Sequence, residues 1–393
     1  MIGKYFDYNA TTPLREEVVD VLKEHIGTFG NPSSIHSLGR IAKSKVQEAK
    51  LQACKLIGAG EDNQMIFTSS GTEAVNFALK GYLHAFEEEN VHIITTQIEH
   101  PATLEVCRFY ENRGVEVTYL PVNQEGIVQI ESLEQAMRPN TVLVSVMMAN
   151  NETGTIQPIK QMLQTIKAIN PHVFFHVDAV QAVGKVPVHV TDLGVDALSF
   201  SSHKLYGPKG VGALYMKDST SLQPLVHGGG QENGWRGGTE NVLGAIGFGV
   251  ACSLAYAELP VQYDKMIELK AYLLEKLQTS IADFDVNGTI DTGHSLPGTL
   301  NVAFAHIRSE ALAAILNEIY GIAVSVGSAC SSEKVKLSHV LQALGHSEDR
   351  IKSSLRISFG KYTTREDIDY LIRSLSQSVY TLRQMLPQVK EKV

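Results

Sequence analysis

The sequence predicts an α/β protein of two domains, the larger built on a mainly parallel seven-stranded sheet and the smaller of α+β type. Three observations carry this expectation. The chain has 393 residues, more than a single hydrophobic core ordinarily supports. Through its first two thirds, short β-branched runs alternate with amphipathic stretches, the pattern of a parallel sheet with helices on both faces. Past about Leu259 the texture changes, and long helical patterns enclose a few isolated strand-like pieces.

Taken in order, the expected strands of the large domain are Met65–Thr68, His92–Thr96, Val115–Leu120, Val142–Met147, Val173–Asp178, Ala197–Ser201 and Val211–Tyr215. Amphipathic stretches at Glu73–His84, Pro101–Asn112 and Ile159–Ile169 fall between them. The run Val142-Leu143-Val144-Ser145-Val146-Met147-Met148 is apolar enough for a strand buried on both faces. The second part reads as a helix over Gln262–Ser280, strands near Asp283–Val286 and Gly298–Phe304, and a helix over Glu310–Tyr320. A strand at Ile322–Ser325, a loop, a strand at Leu355–Phe359 and a closing helix complete it. Residues 15–258 are expected to form the large domain, with 1–14 and 259–393 forming the small one.

Composition narrows the function. A formal net charge of −8 argues against general nucleic-acid binding, which normally shows a basic excess. The N-terminal residues lack the apolar core of a signal peptide, and the uncharged stretch Val242–Ala257 is short and rich in Gly and Ala. It reads as a buried helix rather than a membrane span, so a cytoplasmic location is expected. Four cysteines, Cys54, Cys107, Cys252 and Cys330, form no CxxC pair and are expected as free thiols. The first three sit in partly apolar helical contexts that suit small buried side chains. Cys330 instead follows Gly327-Ser328-Ala329 in a loop of small and polar residues. His92, His100, His172 and His176 do not combine with cysteines at zinc spacing, so no metal is expected. Gly228-Gly229-Gly230 lacks both a Walker lysine and a GxGxxG order.

In open α/β sheets ligands sit beyond the carboxyl ends of strands, and the polar motifs cluster there. Ser201-Ser202-His203-Lys204 places a lysine just past a buried strand, where partial desolvation makes the amine a nucleophile toward aldehydes; a solvated loop lysine is the plain reading. Asp178, 26 residues earlier at another strand end, can pair with a pyridinium nitrogen or simply cap the next helix. Thr68-Ser69-Ser70-Gly71-Thr72-Glu73 runs from a strand into a helix N-terminus, which suits a phosphate and also ordinary capping. None of these signals is decisive alone. A phosphate site, a ring-nitrogen partner and an aldehyde-binding amine together describe one cofactor, pyridoxal 5'-phosphate.

On these motifs the chain resembles the cysteine desulfurases of the NifS/IscS type, in the class V aminotransferase group of fold-type I pyridoxal-phosphate enzymes. The resemblance spans nearly the whole chain, from Asp7-Tyr8-Asn9-Ala10-Thr11-Thr12-Pro13 to Arg356-Ile357-Ser358-Phe359-Gly360. Its most specific segments are Ser201–Gly210, Asn150-Asn151-Glu152-Thr153-Gly154 and Ser325-Val326-Gly327-Ser328-Ala329-Cys330.

The resemblance implies that Lys204 holds the cofactor covalently and shuttles protons. It implies that Asp178 pairs with the ring nitrogen, that Gln181 donates to the phenolic oxygen, and that His100 stacks on the ring and serves as acid or base. Gly71, Thr72, Ser201 and His203 would hold the phosphate, Asn151 would lie near ring and substrate, and Arg356 would clamp the substrate carboxylate. Thr239 would reach the phosphate of a neighbouring subunit, which implies a homodimer. Cys330 would take sulfur from L-cysteine as a persulfide, release alanine and pass the sulfur to an iron–sulfur scaffold or a tRNA-thiolating enzyme. Glu333-Lys334-Val335-Lys336 departs from the family's usual residues after this cysteine, a difference that bears on the acceptor. The competing readings are a selenocysteine lyase, another class V aminotransferase, or a non-catalytic carrier; the cysteine loop argues against an aminotransferase, and Lys204 against a carrier.

Overall fold

The computed structural model describes residues 4–60, 64–86, 90–217, 222–326, 329–331 and 334–385, with the backbone alone described for 329–331 and 334–336. The chain begins with a two-residue strand, β1 (Lys4–Tyr5), and then enters the large sheet. Its strands are β2 (Gln64–Thr68), β3 (His92–Thr96), β4 (Glu116–Leu120), β5 (Thr141–Met147), β6 (Phe174–Asp178), β7 (Ala197–Ser201) and β8 (Gly212–Met216). Their order across the sheet is β2-β8-β7-β6-β5-β3-β4. Every neighbouring pair is parallel except the two that β8 makes with β2 and β7. All seven expected strands are present, with ends displaced by at most one residue.

Why the interior of this sheet reads as unbroken apolar runs is visible in its burial. Every residue of β3, β6, β7 and β8 is buried, because helices cover both faces, whereas edge strand β4 keeps polar residues in alternation. One face packs on helix Ser37–Leu56 and on the start of helix Val242–Ser280, around Phe67, Phe200 and Phe248. The other face packs on helices Gly71–Leu83 and Pro101–Glu111, around Phe77, Leu79 and Leu214.

A four-stranded antiparallel sheet forms from β9 (Phe284–Asn287), β10 (Thr299–Phe304), β12 (Ser325–Val326) and β15 (Ser354–Ser358), in the order β12-β15-β10-β9. Between these, β11 (Ile322–Ala323) pairs in parallel with β1, and β13 (Ala329–Ser331) forms an antiparallel pair with β14 (Lys334–Lys336). The sequence predicts one strand over Ile322–Ser325. The chain instead changes partner at Val324, so β11 lies beside β1 and β12 beside β15. A separate buried cluster serves this region, drawn from Phe6 and from residues between Met266 and Val379.

The two apolar segments expected at Val242–Ala257 and Gln262–Ser280 are one 39-residue helix with Pro260 in its interior. Its first half is buried beneath the large sheet, while Met266, Leu269, Leu273 and Leu277 enter the second cluster. By length and composition it is apolar enough to cross a membrane, but half of its most apolar window is buried within the protein. Proline removes one N–H and crowds the preceding turn; packing at both ends carries the helix through it.

One glycine couples the fold to the strand ends. Gly212 of β8 is paired with Thr68 on one side and Ser201 on the other. A Cβ there would lie 2.5 Å from the carbonyl carbon of Ser70 and 2.9 Å from the amide of Gly71. The absent side chain lets the turn after β2 fold over β8 toward β7. Gly212→Ala is expected to lower stability by about 1–3 kcal/mol, the usual range for overpacking. Comparison of urea-unfolding midpoints with the parent checks this, and an unchanged midpoint would contradict it.

Candidate active site

Five strands of the large sheet deliver their carboxyl ends to one cavity of about 440 Å³. From β2 comes the turn Ser70-Gly71-Thr72, from β3 His100, from β5 Asn151, from β6 Asp178 and Gln181, and from β7 Ser201, His203 and Lys204. Arg356 enters from β15 of the small sheet, and Asn9 and Ala10 from the N-terminal segment. Ten of the twelve residues singled out from sequence therefore line one cavity. Thr239 lies outside it and is exposed on the single chain. The side chain of Cys330 lies outside the described residues; its backbone is in β13, opposite Val335.

Lys204 ends a single 3-10 turn that follows β7 directly, which keeps its amine at the sheet edge. Its Nζ donates to the carbonyl oxygens of Asn9 and Ala10. Burial, followed by the nearby Arg356 guanidinium, pulls its pKa down to about 8, partly offset by Asp7 and Asp178. Asp178 is buried, and its Oδ1 accepts from the Val180 amide at 3.0 Å. Burial raises its carboxyl to about 6, against the lowering effect of that hydrogen bond and of Lys204. A carboxylate kept this short of favourable partners is suited to a cationic N–H donor.

His100 caps the helix starting at Pro101, and its Nδ1 accepts from the Ala102 amide at 3.1 Å. On the neutral ring the proton therefore resides on Nε2. Burial first, and then the nearby Lys204 and His339, lower the His100 pKa, which favours that neutral form. The preceding Glu99 is fully buried; its Oε1 accepts from Thr96 Oγ1 at 2.7 Å and from the Met147 amide at 2.9 Å. It ties the end of β3 to the end of β5, and burial raises its carboxyl to about 8.

One end of the cavity is formed by the helix start at Gly71 and by Ser201 and His203. Ser70 caps the helix by accepting from the Glu73 amide, and first-turn amides of a helix have no intrahelical acceptor. Glu73 in turn pairs with Arg236 at 2.9 Å. Among the described residues Ser201 Oγ is buried without a hydrogen-bond partner, and a Cβ at Gly71 would lie 2.8 Å from Val180 Cγ2. An orphaned hydroxyl beside a helix N-terminus fits a phosphate. With an amine of lowered pKa and a poised carboxylate, the set fits an aldehyde cofactor that carries a phosphate and a basic ring nitrogen.

Arg356 makes two contacts that the sequence does not reveal. Its Nη2 pairs with Asp7 Oδ1 at 2.6 Å, and its Nη1 donates to the Asn151 carbonyl at 3.0 Å. Its Nε is buried with no partner among the described residues, leaving a donor for an incoming carboxylate. Also missed are Asn9, whose carbonyl accepts from Lys204, and Lys185, which donates to the Asn9 side chain. No sequence motif marks these residues, although Asp7 and Asn9 lie in the N-terminal stretch that carries the family resemblance.

Other expectations resolve in physical terms. His92 lies between Thr141 and Thr118, and His176 between Ser145 and Ser199, each with both ring nitrogens bonded. Burial lowers their pKa values to about 4 and about 3, so both are neutral parts of the sheet. Among the described residues no group of three or more His, Cys, Asp or Glu is placed to hold a metal ion. Cys107 and Cys252 are buried and Cys54 half-buried, and burial raises all three thiols.

Fold and cavity together define a member of the class V aminotransferases, and the family model "Aminotransferase class-V" matches residues 4–371. The chain is 45% identical over 388 residues to the cysteine desulfurase IscS of Dictyoglomus turgidum, covering 98% of this chain and 97% of that protein. It is 41% identical over 387 residues to the human cysteine desulfurase, covering 98% and 83%. Among solved structures it is similar to a NifS-like protein (TM-score 0.89, 38% identity, 96% and 99% covered). It is also similar to SspA in complex with cysteine (TM-score 0.79, 35% identity, 92% and 99% covered). The chain belongs to the class V aminotransferase family, in the branch that holds its cysteine desulfurases.

Two measurements probe the cavity. Only the neutral amine of Lys204 attacks an aldehyde, so the rate of covalent capture of pyridoxal phosphate by the apoprotein is expected to rise with pH and level off above about 8. Stopped-flow absorbance checks this, and a pH-independent rate would contradict it. Asp178 binds its proton more tightly folded than unfolded, so its contribution to apoprotein stability falls as pH rises through about 6. A rise from 3.8 to about 6 corresponds to at most about 3 kcal/mol. Asp178→Asn is therefore expected to stabilise the apoprotein at pH 8 while weakening cofactor binding; thermal unfolding and cofactor titration read the two effects.

Proposed function

We propose that the protein is a pyridoxal-phosphate-dependent cysteine desulfurase that converts L-cysteine to L-alanine and carries the sulfur away as a persulfide on Cys330. The observation that carries this reading is that the segment bearing Cys330 is tethered to the cavity on both sides. Ser325, before it, is paired in register with Arg356. After it, Ser338 Oγ donates to Glu152 Oε2 at 2.6 Å, and His339 Nε2 bonds the Glu99 carbonyl at 2.9 Å. Five residues of chain span at most about 17 Å, so the cysteine is within reach of the cavity from Ser325.

Bound in this cavity, pyridoxal phosphate supplies an aldehyde for the substrate amine and an electron sink for cleavage beside the substrate's α-carbon. The chain's own residues do the rest. Arg356 binds the substrate carboxylate, using the Nε that has no partner among the described residues. The Lys204 amine, already near neutrality, takes and returns protons at the α-carbon. His100, whose Nδ1 is used by its cap, keeps Nε2–H for the cavity it lines. The Cys330 thiolate forms the S–S bond as the substrate's C–S bond breaks; the electron pair of that bond stays on carbon, which takes a proton and leaves as alanine. Raised pKa values make Cys54, Cys107 and Cys252 poor alternatives for this step.

The chain's similarity to cysteine desulfurases supports delivery of the sulfur to an acceptor, here proposed to be a protein of iron–sulfur assembly or tRNA thiolation. A homodimer is proposed on the exposure of Thr239, which leaves its hydroxyl free to reach a neighbouring subunit's phosphate. A cytoplasmic location agrees with three unpaired cysteines among the described residues.

Cys330→Ala is expected to lower alanine formation from cysteine by about 10²-fold or more, the scale of losing a reacting group. The cofactor's visible absorbance should be unchanged. Alanine at the parent rate would remove Cys330 from the mechanism, and formation of a new amino acid from an added keto acid would indicate an aminotransferase. Arg356→Ala is expected to raise KM for cysteine about 100-fold, as loss of charge-assisted hydrogen bonds does.

A further inference from the structure

Lys185 has no part in the chemistry described above. It lies four residues after Gln181 in the turn that follows β6 and does not line the cofactor cavity, bordering instead a small cavity behind Lys204. That turn is held in place by Gly184, in the left-handed region at φ +77°. A Cβ on Gly184 would lie 2.4 Å from Leu205 Cδ2, so the turn packs directly behind the residue after Lys204.

The ammonium of Lys185 faces two neutral amide oxygens, Gln181 Oε1 at 2.6 Å and Asn9 Oδ1 at 2.8 Å. Among the described residues no carboxylate is within ion-pair distance of it. Burial, with Lys204 and Arg356 nearby, pulls its pKa well below the ordinary lysine value. Charged or neutral, a lysine amine has N–H groups enough for both oxygens. Gln181 Nε2 donates to the Asn9 carbonyl at 3.0 Å, and that same carbonyl accepts from Lys204. Asn9 Nδ2 donates to Thr299 Oγ1 at 2.9 Å and to the Asn151 carbonyl at 3.1 Å.

These bonds determine which way two amides point. With Oε1 facing Lys185 and one Nε2 hydrogen on Asn9, the second Nε2 hydrogen of Gln181 is the group left for the cavity that Gln181 lines. Donation into Oε1 also polarises the amide and strengthens its N–H as a donor. On this basis, and resting on the cofactor reading above, we infer that Lys185 is a positioning residue: through Gln181 and Asn9 it fixes an N–H donor toward the cofactor's ring oxygen and the carbonyl that holds Lys204.

The test is a double-mutant cycle on cofactor binding. Apoproteins of the parent, Lys185→Met, Gln181→Leu and the double variant are titrated with pyridoxal phosphate; the dissociation constant and the wavelength of the bound cofactor's absorption maximum are read for each. Apoprotein unfolding midpoints are recorded alongside. Lys185→Met keeps the length and removes the donors, and is expected to weaken binding about tenfold and shift the absorption maximum. The double variant should bind no more weakly than Gln181→Leu alone, because the two residues act in series.

Binding and absorption equal to the parent in Lys185→Met, or losses that simply add in the double variant, would overturn the inference. Lys185→Gln, which keeps an amide donor, serves if Lys185→Met does not fold. It should show a smaller loss that again disappears in a Gln181→Leu background, and additive losses there would overturn the inference equally. If the parent itself bound no cofactor, the functional reading would fail first, so the two failures are distinguishable.

Discussion

Asn9 is where the two halves of the molecule are fastened at the reactive lysine. It is buried, and every polar group it carries is used. Its amide donates to Ser358 Oγ on β15, and its side-chain nitrogen to Thr299 on β10 and to the Asn151 carbonyl after β5. Its side-chain oxygen takes Lys185, and its carbonyl takes Lys204 and Gln181. Two strands of the small sheet are thereby held to the loops that carry the large sheet's functional groups. Moving the small sheet relative to the large one would strip the lysine of its acceptor and displace Arg356, whose carboxylate partner Asp7 lies only two residues before Asn9.

The cavity is electrostatically unfinished by itself. Among the described residues, Asp178 is buried with one backbone donor, Lys204 has only carbonyl acceptors, and Arg356 Nε and Ser201 Oγ have no partners. Each is a cost to the apoprotein, since buried polar groups are ordinarily paired. A ligand with a basic ring nitrogen, an aldehyde and a phosphate, followed by a substrate carboxylate, would supply the missing partner of each. Binding energy and catalytic poise then come from the same groups.

Much of this was legible because the signals were local. Strands such as His92–Thr96 and Ala197–Ser201 announce themselves by composition, and Asp178, Ser201 and Lys204 stand at their ends. The rest depends on contacts between residues far apart along the chain. The pair of Asp7 with Arg356 links residues far apart along the chain, and the hub at Asn9 arises because the N-terminal segment crosses between the large and small sheets. Lys185 reads as an ordinary turn lysine until its two amide partners are seen. The helix Val242–Ser280 looked like two segments because continuity through Pro260 comes from packing into two separate buried clusters, and the Ile322–Ser325 strand divided because each half found a different partner.

The central claim is that one cavity joins cofactor chemistry to a single sulfur-accepting cysteine. The most direct measurement mixes the cofactor-loaded enzyme with one equivalent of L-cysteine, alkylates the products and locates the extra sulfur by peptide mass spectrometry while counting alanine. The account predicts one alanine for each persulfide, with the sulfur on Cys330. Alanine without enzyme-bound sulfur, or sulfur on Cys54, Cys107 or Cys252, would contradict it.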